Sequence, residues 1–150
     1  MNAMHAVGAP EIHARPARDA AVRVLETAGL PVEDLTDGHM AHFFFAGLAT
    51  NPTGLVGVEL CGDGALLRSL VVDPQLRGTG LGRLLVERAE GHARAHGATS
   101  MFLLTTTAES FFRRLGYTSA DRASAPDEIR ATREFSSICP ASSAFLIKKL

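Results

Sequence analysis

The sequence predicts an α/β domain of α+β character, with a mixed, mostly antiparallel sheet flanked by helices. Three observations carry that expectation. Short apolar runs in the first half are joined by turn residues alone, which builds an antiparallel meander. A helical stripe over 80–96 then separates two apolar runs, and strands joined through a helix lie parallel in a right-handed crossover. At the entry to that helix stands Val71-Val72-Asp73-Pro74-Gln75-Leu76-Arg77-Gly78-Thr79-Gly80-Leu81-Gly82, which reads as strand, Pro turn and glycine-rich loop.

Residues 1–10 hold Gly8 and Pro10 among small residues and read as a loose lead-in to one domain over 11–150. Glu11–Ala14 reads as a short strand. Ala21, Val24, Leu25 and Ala28 form a helical stripe that Gly29 stops. Pro31–Leu35 reads as one helical turn and Asp37-Gly38 as a tight turn. His39–Ala49, with Phe43-Phe44-Phe45, reads as a strand, and Asn51-Pro52-Thr53-Gly54 as the break before the strand Leu55–Cys61. Gly62-Asp63-Gly64 turns the chain into the strand Ala65–Val72. In the helix Gly80–His96, Leu81, Leu84, Leu85, Ala89 and Ala93 share one face, and Glu90 and Arg94 form a solvent-side pair worth about 0.3 kcal/mol. Ser100–Thr106 is the next strand and Ala108–Leu115 a short helix ended by Gly116. Residues 119–142 are polar and carry no clear period, and Phe145-Leu146-Ile147 closes the chain as a strand.

A composition of 46% hydrophobic and 21% charged residues gives this length a sizeable core. A net charge of −1 provides no basic field, which argues against nucleic acid or an anionic membrane as partner. Cys61 and Cys139 are too few and too far apart for a disulfide framework or a zinc site, so a reduced, cytoplasmic setting is expected and no metal. The N-terminal residues show no apolar run after a basic start, and no run approaches the roughly 20 apolar residues that span a bilayer.

A glycine loop at the start of a helix presents backbone N–H groups at the positive end of the helix dipole, which suits a phosphate or pyrophosphate. The order Gln-x-x-Gly-x-Gly after a strand ending Val-Val-Asp-Pro resembles the acetyl-CoA pyrophosphate loop of GCN5-related N-acetyltransferases, the GNAT family. No Lys-Ser/Thr pair follows the glycines, so it is not a Walker loop. A second block, Ala108-Glu109-Ser110-Phe111-Phe112-Arg113-Arg114-Leu115-Gly116-Tyr117, is similar to the family's Ala-x-x-Phe-Tyr-x-x-x-Gly-Phe segment. The resemblance implies a sheet splayed open between strands 65–72 and 100–106, with acetyl-CoA as cosubstrate in the splay. Leu70, Val71 and Val72 would meet its pantetheine arm. Gln75, Leu76, Arg77, Gly78, Thr79, Gly80, Leu81 and Gly82 would hold its pyrophosphate, with Phe111, Phe112 and Arg114 also on the cofactor side. Arg113 and Arg114 are candidates for the 3′-phosphate, against an ordinary solvated helix face.

Acyl transfer from a thioester builds an oxyanion, and a backbone N–H near Val71 is the expected donor, with such donors worth about 3 kcal/mol. The acceptor amine, with a pKa near 10, must also lose a proton. The strand before the loop carries no carboxylate, so Glu59 on the neighbouring strand is the candidate base, against a reading as a solvated edge residue. Phe112 stands where the family has a proton-donating Tyr, which leaves water, the substrate ammonium or Ser110 to protonate the CoA thiolate. Arg68 is the candidate to hold an acidic acceptor, with a structural ion pair to Glu59 as the competing reading. Ser69 adjoins it, Arg133, Ser136 and Ser137 could complete the pocket, and Phe43–Phe45 reads as core and cleft wall, which places Phe43 against the acceptor. His39 and His42, on a strand, would face opposite sides and make no metal pair.

Glu134-Phe135-Ser136-Ser137-Ile138-Cys139-Pro140-Ala141-Ser142 and Ala28-Gly29-Leu30-Pro31-x-x-Asp34-Leu35 resemble the acetyltransferases encoded with bacterial arsenic-resistance genes. The expected function is therefore transfer of an acetyl group to a small, acidic or amino-acid-like amine, in arsenic resistance or toxin detoxification. Acetylation of a protein or peptide amine is one alternative, and a non-catalytic CoA-binding sensor another. Related enzymes pair through their C-terminal strands, so a homodimer is a candidate assembly.

Overall fold

The computed structural model describes residues 10–150, so the lead-in expected over 1–10 lies, Pro10 aside, outside the described residues. One sheet of seven strands runs β1 (His13–Ala14), β2 (Phe43–Leu48), β3 (Asn51–Cys61), β4 (Gly64–Val72), β5 (Ser100–Thr105), β7 (Ala144–Lys149) and β6 (Thr118–Ser119) in spatial order. β4 and β5 are parallel and the other neighbours antiparallel, the mixed arrangement the sequence predicts. Among the described residues, four α-helices flank it: α1 (Arg18–Thr27), α2 (Leu81–Ala95), α3 (Glu109–Arg114) and α4 (Asp127–Arg130). Alternation along the strands sends Phe44, Val56, Val58 and Leu67 under α2, while Phe43, Phe45 and Leu55 pack under α1 with Ala21 and Leu25. A third cluster joins Leu66, Phe102 and Phe145 to Ile129 of α4.

The expected strand 39–49 starts late. Asp37–His42 is a 3-10 helix, closed by a reciprocal cap in which the Thr36 N–H donates to His39 Nδ1 at 3.0 Å. The β2–β3 turn falls at Ala49-Thr50, with Leu48 opposite Asn51, and not at 51–54. Pro31–Leu35 is an irregular turn and no helical one. Phe43 is fully buried, its ring seated on Gly57, where a β-carbon would come within 2.4 Å of ring carbons. That position makes it core and removes it from the acceptor side.

Glu90 also departs from expectation. It is 3% exposed, accepts a hydrogen bond from the Tyr117 hydroxyl at 2.8 Å and lies 3.1 Å from Lys148 Nζ. The pair with Arg94 persists only at 4.0 Å. Burial and the Glu90 carboxylate push the Tyr117 hydroxyl far above the usual phenol range, so the only tyrosine in the chain is a tie between α2 and the sheet. The C-terminal β7 lies between β5 and β6, with Leu146 and Ile147 covered by β6, so it is not a free sheet edge along its whole length. No helix among the described residues is long and apolar enough to cross a membrane.

Under β2, His42 Nδ1 and His92 Nε2 are 2.9 Å apart, with the His96 ring 4.3 Å from that of His92. Burial, then the neighbouring histidines, hold His42 and His92 below the usual imidazole range, with Arg15 and Arg88 adding to the effect. A histidine depressed in the fold stabilises it fully above the unfolded value, about 6.5, and loses that contribution as pH falls through the folded value. The melting temperature is therefore expected to fall between pH 7.5 and 5.5, and His92→Gln to flatten the slope. Thermal unfolding across that range checks it, and equal slopes for both proteins would refute it.

Candidate functional site

β4 pairs with β5 only from Gly64–Ser100 to Leu67–Leu103. Beyond that point β4 stays with β3 up to Val72, while β5 stays with β7 up to Thr105. The separation begins at a bulge. From Gly57–Arg68 to Leu55–Val71, β4 uses one residue more than β3, and Ser69 sits at φ 61° in the left-handed region. The extra residue bends β4 away from its parallel neighbour and opens a cavity of about 440 Å³. Arg68, Ser69 and Leu70 line one side, Leu103 to Thr107 the other, and Phe112, Glu134, Cys139 and Ser143 close the end.

The glycine loop follows directly. Asp73 Oδ1 accepts the Gln75 N–H at 2.9 Å and caps a single 3-10 turn, Pro74–Leu76. Gly78 and Gly80 then take φ 81° and 90°, which an L side chain rarely adopts, and Gly80 caps α2. Within the expected cradle, the N–H groups of Leu76, Arg77 and Thr79 are spent on turn carbonyls at 2.8, 3.4 and 3.3 Å. The Leu84 N–H already bonds Gly80 O, so the helix leaves the N–H groups of Leu81, Gly82 and Arg83 without an intrahelical partner. Phe111 braces that turn, since a β-carbon on Gly82 would meet its ring at 3.2 Å. Gln75, Arg77, Gly78, Thr79 and Gly80 are exposed beside it, as is Arg114 on α3. Arg113 is held by Glu109 at 2.7 Å and by Ser119 Oγ.

The expected oxyanion donor shifts by one residue. The Asp73 N–H donates to Thr53 O of β3 at 2.8 Å, and ladder alternation turns the Val71 N–H to β3 as well, opposite Leu55. The same alternation turns the Val72 N–H away from β3, toward the side from which β5 has parted.

Arg68 shows the largest departure. Its side chain is 0% exposed, with Nη1 at 2.5 Å from Asp34 Oδ2 and 2.8 Å from Glu59 Oε2, and Nη2 at 2.9 Å from Asp34 Oδ1. Nε lies 3.1 Å from Ser69 Oγ and 3.5 Å from Glu134 Oε1. Every arm of the fork is engaged, so Arg68 has no face to offer an acidic acceptor, and the competing structural reading holds. Desolvation works against both charges, but the surrounding carboxylates keep Arg68 protonated, and its hydrogen bonds and charge outweigh burial to hold Asp34 below the usual range.

Glu59, the expected base, is tied to that guanidinium and opens onto a separate hollow lined by Thr36, His39 and His42. Asp34, His39 and Glu59 lie close enough together to suggest a cation site, but Arg68 already bridges the two carboxylates. Ser110 is exposed on α3 and does not line the cavity. Arg133, Ser136 and Ser137 are exposed and also outside it.

Sequence reasoning missed Glu134, Cys139 and Ser143. Residues 134–138 form one π-helical turn, in which the Cys139 N–H donates to Glu134 O at 3.0 Å. Burial first, then Glu134, pushes the Cys139 thiol up to about 12, so it stays protonated and donates to Glu134 Oε2 at 3.2 Å. Burial also raises Glu134, against the pull of Arg68. Cys61, at about 11 through burial, sits in the core below Leu66 and Phe102. The sequence pointed to this segment through Arg133, Ser136 and Ser137, but not to the residues of it that line the cavity.

A sheet parted at a bulge, beside a helix N-terminus with unspent amides, is the arrangement that the likeness to acetyltransferases leads one to expect. Residues 39–119, more than half of the chain, match the acetyltransferase (GNAT) domain family, and the chain belongs to that family. It is 40% identical over 65 residues to an uncharacterized N-acetyltransferase of Chlorobaculum tepidum, covering 43% of this chain and 41% of that protein. An amino-acid acetyltransferase of Pseudomonas fluorescens is 42% identical over 55 residues, covering 37% of this chain and 13% of that protein. Both matches thus span less than half of the relative's own length. N-acetylglutamate synthase of Neisseria gonorrhoeae, crystallised with coenzyme A and N-acetyl-glutamate, superposes with a TM-score of 0.78 at 21% identity, covering 95% of this chain and 35% of that one.

Proposed function

We propose that the protein is an acetyl-CoA-dependent N-acetyltransferase acting on a small, amino-acid-like amine. The observation that carries this reading is the parting of β4 from β5 at Arg68, directly upstream of the Gly80-capped helix. The arrangement sets a cleft with a cleft-facing Val72 N–H against an anion-binding helix end. Leu70 and Val72 would meet the pantetheine arm, and Gly78, Gly80, Leu81 and Gly82 the pyrophosphate. The bound thioester supplies the activated acetyl group.

The amino-acid relatives support an amino-acid-like acceptor. With Arg68 enclosed, the acidic acceptor loses the cation that argued for it. The likeness of residues 134–142 to acetyltransferases of arsenic-resistance operons supports testing arsenicals and a detoxifying role, and family resemblance supports a homodimer. The two free cysteines, Cys61 and Cys139, support a cytoplasmic site of action.

The test is thiol release from acetyl-CoA with the twenty L-amino acids, tyramine, cadaverine and an amino-arylarsonate as acceptors. At least one small amine is expected to raise the rate tenfold or more over acetyl-CoA hydrolysis. Tight CoA binding without acceptor-dependent thiol release would favour the sensor, and turnover with peptide amines alone the peptide enzyme.

A further inference from the structure

Three carboxylates surround Arg68, but they are not equivalent. Asp34 and Glu59 hold Nη1 and Nη2 at 2.5 to 2.9 Å and stand outside the cavity. Glu134 is the one that lines the cavity, and it reaches the guanidinium only at Nε, 3.5 Å away. Its other oxygen accepts a single hydrogen bond, from the Cys139 thiol. Asp34 and Glu59 both face the one guanidinium, so carboxylates outnumber cations on this wall, which favours the ammonium end of an acceptor.

Ser143, which closes the same end of the cavity, lacks a partner. Ser143 is 6% exposed, and its hydroxyl has no hydrogen-bond partner among the described residues. A buried hydroxyl left so costs about 1–3 kcal/mol, a cost that a polar ligand beside Glu134 and Ser143 removes.

Resting on the acetyltransferase reading above, we propose that Glu134 is the base that takes the proton from the acceptor ammonium. The acceptor enters as R–NH₃⁺ and gives one proton to the Glu134 carboxylate. The freed nitrogen pair forms the C–N bond at the thioester carbonyl, whose π pair moves to oxygen beside the Val72 N–H. That pair returns, the C–S bond breaks, and sulfur leaves with its bonding electrons. The second nitrogen proton passes to the thiolate, and Glu134 releases its proton to water. The sum is an amide, a free thiol and one proton, with no redox partner. Passage of the second proton from nitrogen to sulfur makes a side-chain acid unnecessary, consistent with a phenyl ring at Phe112. Burial that raises the carboxyl moves it toward the operating pH, where a general base is most effective.

The experiment measures thiol release against pH from 5.5 to 9.5 for the wild type, Glu134→Gln, Glu134→Asp and Glu59→Gln, with the best amine of the panel above. Glu134→Gln is expected to lower kcat about 100-fold at pH 7, to lose the acid-side inflection and to keep the KM for acetyl-CoA within twofold. Glu134→Asp should retain the inflection at an intermediate rate, which separates a lost base from a lost fold, and circular dichroism monitors folding of each variant. An unchanged kcat and pH profile in Glu134→Gln, or loss of the inflection in Glu59→Gln instead, overturns the assignment alone. Acetyl-CoA binding with no thiol release from any amine in the wild type overturns the acetyltransferase reading and the base with it.

Discussion

Arg68→Met is expected to cost the fold about 3–5 kcal/mol, because it removes the one cation from a buried group of three carboxylates. Asp34 is 5% exposed, Glu134 8% and Glu59 19%, so water replaces little of what the guanidinium supplies. The loss should depend on pH in a defined direction. Asp34 is depressed in the fold, so the stability it contributes is present above its unfolded value near 3.8 and disappears as pH falls through the folded one. In the variant the same carboxylates are raised, and acid relieves their repulsion. The gap between the two proteins is therefore widest at neutral pH and narrows below about pH 4. Arg68→Lys keeps the charge without the planar fork and should fall between them. Urea unfolding at pH 7 and at pH 3.5 measures all three proteins. A neutral-pH difference under 1 kcal/mol between Arg68→Met and the wild type would mean that the carboxylates find other partners.

The sheet was legible because its signals are local. Alternating apolar residues, Gly and Asn turns and a 3.6-residue stripe each occupy one short window, and together they require a meander followed by a parallel crossover. The loop was legible for the same reason, since Gly78 and Gly80 stand where only glycine takes the backbone angle easily. Partner choice was legible only for Glu59, which stands on the neighbouring strand. Arg68 meets Asp34 from the turn after α1 and Glu134 from the C-terminal segment, and no spacing rule links those positions. Glu90 was half legible: Val86 and Ala93, one turn either side, are both buried, which argued against a solvent-facing position. Residues 119–142 resisted because a four-residue helix and a π-helical turn leave no period to read. That segment supplies the end wall of the cleft. The geometry of the glycine loop is therefore readable from the sequence, while the end wall of the cleft needs the fold.

The glycine loop gives the most direct separation of the two sides. Gly80→Asp is expected to raise the KM for acetyl-CoA about 30-fold, or roughly 2 kcal/mol, while kcat at saturation stays within a few-fold. Nothing lies within 4 Å of a β-carbon at Gly80, so the effect is not a collision. An Asp at a helix N-cap turns its carboxylate onto the N–H groups of the first turn. Here those are the Gly82 and Arg83 amides, which a pyrophosphate needs, and the added negative charge repels the anion as well. Gly80→Ala carries the same strain at φ 90° without the carboxylate and should change KM far less. Added salt should shrink the Asp penalty, because both charges are exposed to solvent, and leave the Ala effect unchanged. Michaelis constants for the three proteins at 50 and 500 mM salt, with the acceptor saturating, provide the comparison. Equal constants for Gly80→Asp and the wild type would show that the phosphates bind elsewhere than the first turn of α2. A fall in kcat with KM unchanged would instead couple the loop to the cleft that Glu134 lines.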